Sequence, residues 1–286
     1  MITFLRFARA HTLIGTSLSI ITLYLIALRM TGNGDWKLLA LTLLSCLAAN
    51  VYITGLNQVT DVKIDRINKP YLPIASGAYT MKQAKWIIFV CLIISLAIAL
   101  IYPTYLLTTV VLSVILGTAY SLPPIRLKRF SFWAAFCILA VRGLIVNLLL
   151  YLHFQVNMGG SDVIPATIWL LTGIIFAFSI IIAWYKDLPD TEGDAAFQIN
   201  TLSLRWGRNA VWRAGMVLLS ITFIVAAIIG FRLQSSNVSY GQLVLLVLLV
   251  LLGYQLNLKN QQSIARYYQG IWVLFFLEYG IFAVFG

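Results

Sequence analysis

The sequence predicts an all-α, polytopic membrane protein, for three reasons. Hydrophobic residues make up 61% of the 286 residues and charged residues only 10%, against about 25% charged residues in ordinary soluble domains. The apolar residues lie in runs of about 20, the length that a helix needs to cross a bilayer. No run shows the alternation of a membrane β-barrel strand. The composition therefore excludes a soluble globular protein, a disordered chain and a nucleic-acid-binding domain.

Nine apolar segments predict a bundle of nine transmembrane helices. Only helices and closed barrels satisfy backbone polar groups in lipid, so each segment is predicted to be helical. The uncharged run from Trp86 to Ile125 is long enough for two passes, and Pro103 supplies the turn between them. We expect one domain over residues 1–286. The predicted spans are 12–28, 38–58, 86–102, 104–122, 132–152, 163–185, 212–231, 241–257 and 268–285.

The positions of lysine and arginine predict the orientation. With nine spans, the N-terminus and the stretches 59–85, 123–131, 186–213 and 258–267 share one side, which carries sixteen of the nineteen bases outside the spans. Positively charged loops face the cytoplasm, so we expect a cytoplasmic N-terminus. The net charge of +11 then favours contact with anionic headgroups of the lipid bilayer. No cleavable signal peptide is expected, because the first apolar segment is too long and lacks a cleavage site.

Acidic residues are concentrated in two clusters on the predicted cytoplasmic side, which hold six of the nine. After the second span, Asn57, Asp61 and Asp65 recur every four residues. Each step of four turns a helix by about 40°, so the three side chains share one helix face. The first cluster is therefore predicted to present a row of oxygen atoms at the end of the second span.

The second cluster follows the sixth span. Asp187, Asp190 and Asp194 are spaced by three and four residues, which again places them on one face if the helix continues. Pro189 and Gly193 make a break in that helix the alternative.

Carboxylates gathered at one membrane surface repel each other unless a cation lies among them. Hard oxygen ligands suit Mg²⁺, which binds one or two carboxylates together with substrate phosphates. This donor set favours a magnesium site that helps a diphosphate group to leave. The alternative is an interfacial salt-bridge network with Lys63, Arg66 and Lys186. Ion or phosphate transport is a third hypothesis, which the position of the acids at one interface disfavours.

Basic residues elsewhere are candidates for binding an anion. Arg126 and Lys128 lie in the loop between the fourth and fifth spans, where they either clamp phosphate oxygens or only set the topology. Arg142 is the one basic residue deep inside a span, and Asn147 follows it after little more than one turn. Arg142 contacts the diphosphate or an acceptor carboxylate, or else has a structural partner such as Glu278.

The two acidic motifs resemble those of the UbiA-type membrane prenyltransferases. That family has an NxxxDxxxD motif after the second of nine helices and a DxxD or DxxxD motif after the sixth. The stretches 55–77, 186–194 and 11–16 are similar to the homogentisate prenyltransferase branch, and within it to the phytyltransferases. One departure is visible at Ala10, where the branch usually has proline.

The resemblance implies a magnesium-dependent enzyme that transfers a phytyl group from its diphosphate to homogentisate. Decarboxylation would then give 2-methyl-6-phytylbenzoquinol, an intermediate of tocopherol biosynthesis. Neighbouring members use solanesyl or geranylgeranyl donors, or chlorophyllide or 4-hydroxybenzoate as acceptors. The expected location is a cyanobacterial-like plasma or thylakoid membrane, with the active site on the cytoplasmic side.

The same resemblance implies roles for individual residues. The metal ligands are expected to be Asn57, Asp61, Asp65, Asp187, Asp190 and Asp194, of which the five aspartates are catalytic. The cationic groups that bind substrate are expected to be Arg66, Arg126, Lys128 and Lys186. Arg142 and Asn147 remain substrate-binding candidates on the sequence alone.

Overall fold

The described part of the chain is built from helices. The computed structural model describes residues 2–186, 188–189 and 201–286, in which no strand occurs. A 3₁₀ turn (Leu127–Arg129) precedes α6, and a π-helical segment (Leu139–Ile145) joins α6 to α7. The all-α prediction is confirmed. The described helices are α1 (Ile2–Phe7), α2 (Ala10–Thr31), α3 (Trp36–Asn68), α4 (Met81–Ala99), α5 (Tyr105–Ser121), α6 (Ser131–Ile138), α7 (Val146–Asn157), α8 (Ala166–Tyr185), α9 (Leu202–Trp206), α10 (Arg208–Arg232), α11 (Ser236–Tyr254) and α12 (Gln261–Phe285).

Eight helices within the described ranges are long and apolar enough to cross a membrane. One of them, Phe132–Asn157, runs from α6 through the π-helical segment into α7. Helix α5 is apolar too but has only 17 residues. Every predicted span overlaps one of these helices, so the multi-pass membrane protein is confirmed. The count of nine spans and the cytoplasmic N-terminus stay predictions.

Helix α3 is longer than the span predicted for it. Asp35 caps its start by accepting a hydrogen bond from the backbone N–H of Leu38 at 2.9 Å. The helix then continues for 33 residues, about 50 Å at 1.5 Å per residue. A bilayer core is about 30 Å thick. The last turns of α3, which carry Asp61 and Asp65, therefore extend beyond the length that lipid requires.

The break predicted near Pro103 is present. Helix α4 begins with a capping box between Thr80 and Gln83 and ends at Ala99, and α5 begins at Tyr105. Proline lacks the N–H that would continue the helical ladder, so the chain turns here and re-enters a helix.

The π-helical segment has a local cause that the sequence does not reveal. The side-chain amide of Asn147 donates hydrogen bonds to the carbonyls of Arg142 and Gly143, both at 3.1 Å. These bonds occupy carbonyl oxygens that the wider turn leaves without their usual i+4 partner. Asn147 thus stabilises an irregular turn whose backbone carries Arg142.

The chain divides into two compact units. The first comprises the residues up to Cys137 and Leu149–Asp162. Its centre is α3, which contacts α4, α5 and α2. A buried apolar cluster joins α3 to α1 and α4, and it includes Phe7, Tyr52, Leu56 and Ile88. The hydroxyls of Tyr52 and Thr118 are hydrogen-bonded at 2.8 Å between α3 and α5. The end of α3 is therefore held from several sides.

The second unit comprises Ile138–Leu148 and the described part of Val163–Gly286. Helix α8 packs against α10 and α12, with the ring of Phe178 5.8 Å from the rings of both Phe223 and Phe275. The hydroxyl of Tyr185 donates to the carbonyl of Trp212 at 2.7 Å. Aromatic side chains packed edge to face thus form part of the core of this unit.

Close packing at Gly55 generates a stability prediction. A Cβ atom here would lie 2.5 Å from Ile88 Cγ2 and 2.6 Å from Phe7 Cζ, whereas at Gly173 it would meet nothing within 4 Å. We expect Gly55→Ala to lower the free energy of unfolding by about 1–3 kcal/mol, because buried neighbours must move. The control Gly173→Ala should be neutral or slightly stabilising. Thermal unfolding of both variants in detergent checks this, and equal melting temperatures would contradict it.

Candidate active site

The C-terminal end of α3, which is predicted to face the cytoplasm, carries a cluster of oxygen atoms with a lysine at its centre. Lys128 Nζ lies 2.7 Å from Asp61 Oδ2 and donates hydrogen bonds to Asn57 Oδ1 at 2.8 Å and Thr60 Oγ1 at 3.0 Å. The side chains of Lys128 and Asp61 are only 11% and 13% exposed. Two of the predicted ligands, Asn57 and Asp61, are therefore brought together around one ammonium group.

Arg126 supplies a second cation to the same carboxylate. Its Nη2 lies 2.9 Å from Asp61 Oδ1, and its side chain is 33% exposed. The backbone of Arg126 is left-handed, with φ of 39°, and the 3₁₀ turn that carries Lys128 follows directly. Ser121, the last residue of α5, donates to Asn57 Oδ1 at 3.4 Å. The loop after α5 is thus folded back onto α3.

Burial and charge pairing act against each other at Lys128. Burial lowers the pKa of its ammonium to about 8, while the ion pair and hydrogen bond with Asp61 raise the pKa. At pH 7 the charged form still predominates. Each oxygen of Asp61 faces a different cation, and a carboxylate has about four acceptor positions in all. The Asp61 oxygens can therefore accept a further ligand without losing either cation.

Asp65, the third predicted ligand of this motif, is buried. The residue is only 5% exposed, and its Oδ2 atom has no hydrogen-bond partner within the described ranges. A buried carboxylate oxygen without a partner is unfavourable unless a cation or donor reaches it. Together with the oxygens of Asn57 and Asp61, it forms a donor set of the kind that Mg²⁺ binds. The residues present thus fit a magnesium ion.

The remaining predicted residues do not contact this cluster within the described ranges, or fall outside those ranges. Arg66 is exposed, and no hydrogen bond or ion pair within the described residues joins it to Asp61. Lys186 directly follows α8. Asp187, Asp190 and Asp194 fall outside the described residues, so their roles stay predictions. No cluster of three His, Cys, Asp or Glu side chains suited to a metal occurs among the residues described.

Both candidate bases of the loop after α5 contact Asp61, whereas their binding to phosphate stays a prediction. The sequence left Arg126 and Lys128 undecided between phosphate binding and topology, and both contact the acidic motif. Thr60 and Ser121 were not predicted. The spacing of Thr60, three residues after Asn57 on the same helix face, was the available signal. Nothing in the sequence pointed to Ser121.

Arg142 and Asn147 belong to the second unit. The guanidinium carbon of Arg142 lies 4.8 Å from the ring centroid of Trp272 and 5.7 Å from that of Phe275. Glu278, proposed as its structural partner, instead accepts a hydrogen bond from Gln242 at 2.7 Å, and no ion pair joins it to Arg142 in the described structure. The rings that hold Arg142 were not predicted.

A cavity of about 540 Å³ lies at the start of α5, the opposite end of that helix from Lys128. Tyr102, His153 and Asp162 contribute to its lining, and none of the predicted site residues does. His153 Nε2 is hydrogen-bonded to Thr42 Oγ1 at 2.9 Å. This histidine therefore has the structural role expected of a lone histidine at a helix end.

Comparisons with known proteins identify the family and the fold of the chain. The model of the UbiA prenyltransferase family matches residues 18–278. Homogentisate phytyltransferase of Synechocystis sp. is 46% identical over 96% of this chain and 92% of its own length. Homogentisate phytyltransferase 1 of Arabidopsis thaliana is 37% identical over 96% of this chain and 73% of its own length.

A solved structure has the same fold. The UbiA homologue of Archaeoglobus fulgidus, described as bound to DMAPP and Mg²⁺, is 16% identical and superposes with a TM-score of 0.67, covering 99% of both chains. At this identity the likeness concerns the fold. The family match over most of the sequence, the high identity to full-length relatives and the oxygen motif on α3 lead to one conclusion: the chain belongs to the UbiA prenyltransferase family.

Proposed function

We propose that this membrane enzyme transfers a phytyl group from phytyl diphosphate to homogentisate, with decarboxylation, as a step of tocopherol biosynthesis. The observation that carries the proposal is the 46% identity, over almost the whole chain, to a relative named homogentisate phytyltransferase. The cation-rich oxygen cluster at the end of α3 supports it, because such a cluster suits a diphosphate group with its metal.

The proposed reaction replaces one ring hydrogen and one carboxylate. The C–O bond of the donor breaks, and the diphosphate leaves with the electron pair. A ring carbon of homogentisate forms the new C–C bond and the ring then loses its proton. The carboxylate leaves as CO₂, and the carbon that carried it takes up a proton to become a methyl group. The product is 2-methyl-6-phytylbenzoquinol.

Residues of both acidic motifs would hold Mg²⁺. In the first they would be Asn57, Asp61 and Asp65, whose oxygen atoms are of the kind that binds this ion. In the second they would be Asp187, Asp190 and Asp194. When bound, the ion neutralises charge on the diphosphate and makes it a better leaving group.

Arg126 and Lys128 would bind the diphosphate oxygens. Arg126 uses one nitrogen on Asp61, which leaves other N–H groups of its fork for phosphate. Lys128 is a point charge whose low exposure reduces screening by water. Charges fixed before the reaction stabilise the leaving group without reorganisation. Arg66 and Lys186 are proposed to contribute more distant positive charge.

The site is proposed to face the cytoplasm of a cyanobacterial-like cell, in the plasma or thylakoid membrane. The positively charged loops predicted on that side support this orientation. Residues 1–286 are proposed to act as one prenyltransferase domain, in agreement with a family match that spans 18–278.

A substrate panel tests the proposal. Membranes containing the protein should form a labelled quinol from phytyl diphosphate and homogentisate, and should release ¹⁴CO₂ from carboxyl-labelled homogentisate. EDTA should stop both, and Mg²⁺ should restore them. Parallel incubations contain geranylgeranyl or solanesyl diphosphate, or 4-hydroxybenzoate or chlorophyllide. A product only with another acceptor would refute homogentisate, and ion flux through proteoliposomes without any product would refute the enzyme.

Removing single negative charges tests the acidic motifs. Asp61→Asn and Asp187→Asn should each abolish turnover while the protein still inserts, because each removes the negative charge of a proposed metal ligand without changing the shape of the side chain. Asp162→Asn, an exposed aspartate outside both motifs, is the matched control and should keep full activity. Product formation and the yield of detergent-solubilised protein are measured together. Retained activity in Asp61→Asn would contradict the metal role.

Variants of Lys128 and Arg129, two bases of one loop, test whether a base binds phosphate or only sets the orientation of the protein in the membrane. Lys128→Gln should lower kcat/KM for the prenyl diphosphate by about 10²–10³-fold, because it removes a charge placed for the leaving group. Arg129→Gln should leave it unchanged, since Arg129 is exposed and its guanidinium lies over Phe130, 4.8 Å from the ring centroid. Steady-state kinetics at varied donor concentration checks this. Equal losses of kcat/KM in the two variants would contradict phosphate binding by Lys128 and would indicate that both bases only set the membrane orientation.

A further inference from the structure

Arg142 is a cation in an apolar span and has no anionic partner among the residues that the structure describes. It lies in the π-helical segment of the span Phe132–Asn157. Its side chain makes no hydrogen bond and no ion pair with any residue that the structure describes, and its guanidinium lies over the rings of Trp272 and Phe275. Cation–π attraction offsets only part of the unfavourable transfer of a guanidinium out of water. An anion close to the guanidinium would therefore stabilise it further.

Glu278, the acid of the second unit whose side chain the structure describes, is not that anion. Glu278 lies one turn after Phe275 on α12 but is fully buried and bound by Gln242 of α11. No ion pair between Glu278 and Arg142 occurs in the described structure. A charge that is held near aromatic rings, and that is half-buried rather than enclosed, is available to a ligand.

The backbone around Arg142 is held in place by Asn147 and by close packing at Gly143. Asn147 bonds to the carbonyls of Arg142 and Gly143 and accepts a hydrogen bond from the hydroxyl of Tyr279 at 2.9 Å. This ties the irregular backbone turn to α12, the helix that also carries Trp272. Gly143 permits close approach to α8, because a Cβ atom there would lie 2.9 Å from the ring of Phe176. Such a preorganised group favours a specific binding role.

We propose that Arg142 binds the carboxylate of the aromatic acceptor, with Trp272 beside it. A guanidinium pairs with a carboxylate through two parallel N–H···O bonds, and adjacent aromatic side chains suit an aromatic ring. Homogentisate carries both groups, so the inference rests on the proposed function and names a binding residue for its acceptor. A diphosphate carries several charges and needs several cations, whereas Arg142 is the one basic residue deep inside a predicted span.

Binding measurements test this without turnover. Purified wild-type protein, Arg142→Gln and Arg142→Lys are titrated with labelled homogentisate by equilibrium dialysis, without donor, in competition with methylhydroquinone, which lacks the carboxylate. We expect Arg142→Gln to weaken homogentisate binding about tenfold or more, to leave methylhydroquinone binding unchanged, and to keep KM for phytyl diphosphate. Arg142→Lys should bind with intermediate affinity. The exposed Arg232→Gln is the matched control.

Three outcomes would overturn the inference. Unchanged homogentisate affinity in Arg142→Gln would show that Arg142 does not bind the acceptor carboxylate. A raised KM for phytyl diphosphate with unchanged acceptor binding would show that Arg142 binds the donor. Equal loss of both ring ligands, together with a lowered melting temperature, makes the residue structural. Failure of the proposed function is visible separately, because wild-type membranes would then form no quinol from homogentisate. Titration with 4-hydroxybenzoate would in that case still test whether Arg142 recognises an aromatic carboxylate.

Discussion

The carboxylate of Asp61 pairs with two cations at the end of α3, and the loop after α5 depends on this pairing. Arg126 and Lys128 lie within 2.9 Å of its two oxygens, and each would repel the other without the charge between them. Burial of Lys128 makes an uncompensated charge there expensive. The loop therefore folds back onto α3 because Asp61 is present, and Asn57 and Thr60 complete the shell around the ammonium group.

This arrangement places reactive groups on a rigid element. Helix α3 is held by the buried cluster around Phe7, Tyr52 and Ile88, and it continues well past the length that a bilayer needs. The oxygen atoms of Asn57 and Asp61 consequently keep a fixed spacing set by the helix rather than by a mobile loop. Only the basic residues come from a loop, and their ion pairs restrict its conformations. A site for a highly charged substrate gains from such preorganisation, because its charges need no reordering during reaction.

The sequence predicted the positions of the helices well but not their ends or their irregularities. Hydropathy detects the apolar centre of a span, so the polar final turns of α3, with Asp61 and Asp65, fell outside the predicted segment. The periodicity predicted that Asn57 and Asp61 share a face. It could not predict their contact with Lys128, which depends on the left-handed backbone of Arg126. The π-helical segment depends on the side-chain bonds of one asparagine, which leave no periodic signal.

Lys128 and Arg142 differ in how their charge is compensated, and this difference bears on the substrates that they suit. Lys128 is surrounded by oxygen atoms and is paired with the carboxylate of Asp61. Asp61 and Asp65, one helical turn apart, are proposed to bind a divalent ion together. Such a mixed cluster suits a polyanion that arrives with a metal. Among the described residues, Arg142 lies against the aromatic faces of Trp272 and Phe275, which stabilise a cation without neutralising it. A single negative charge on an aromatic molecule completes that environment, whereas a second metal-bearing polyanion would find no oxygen ligands on Trp272 or Phe275. The chemistry of the two surroundings therefore favours different substrates for the two bases.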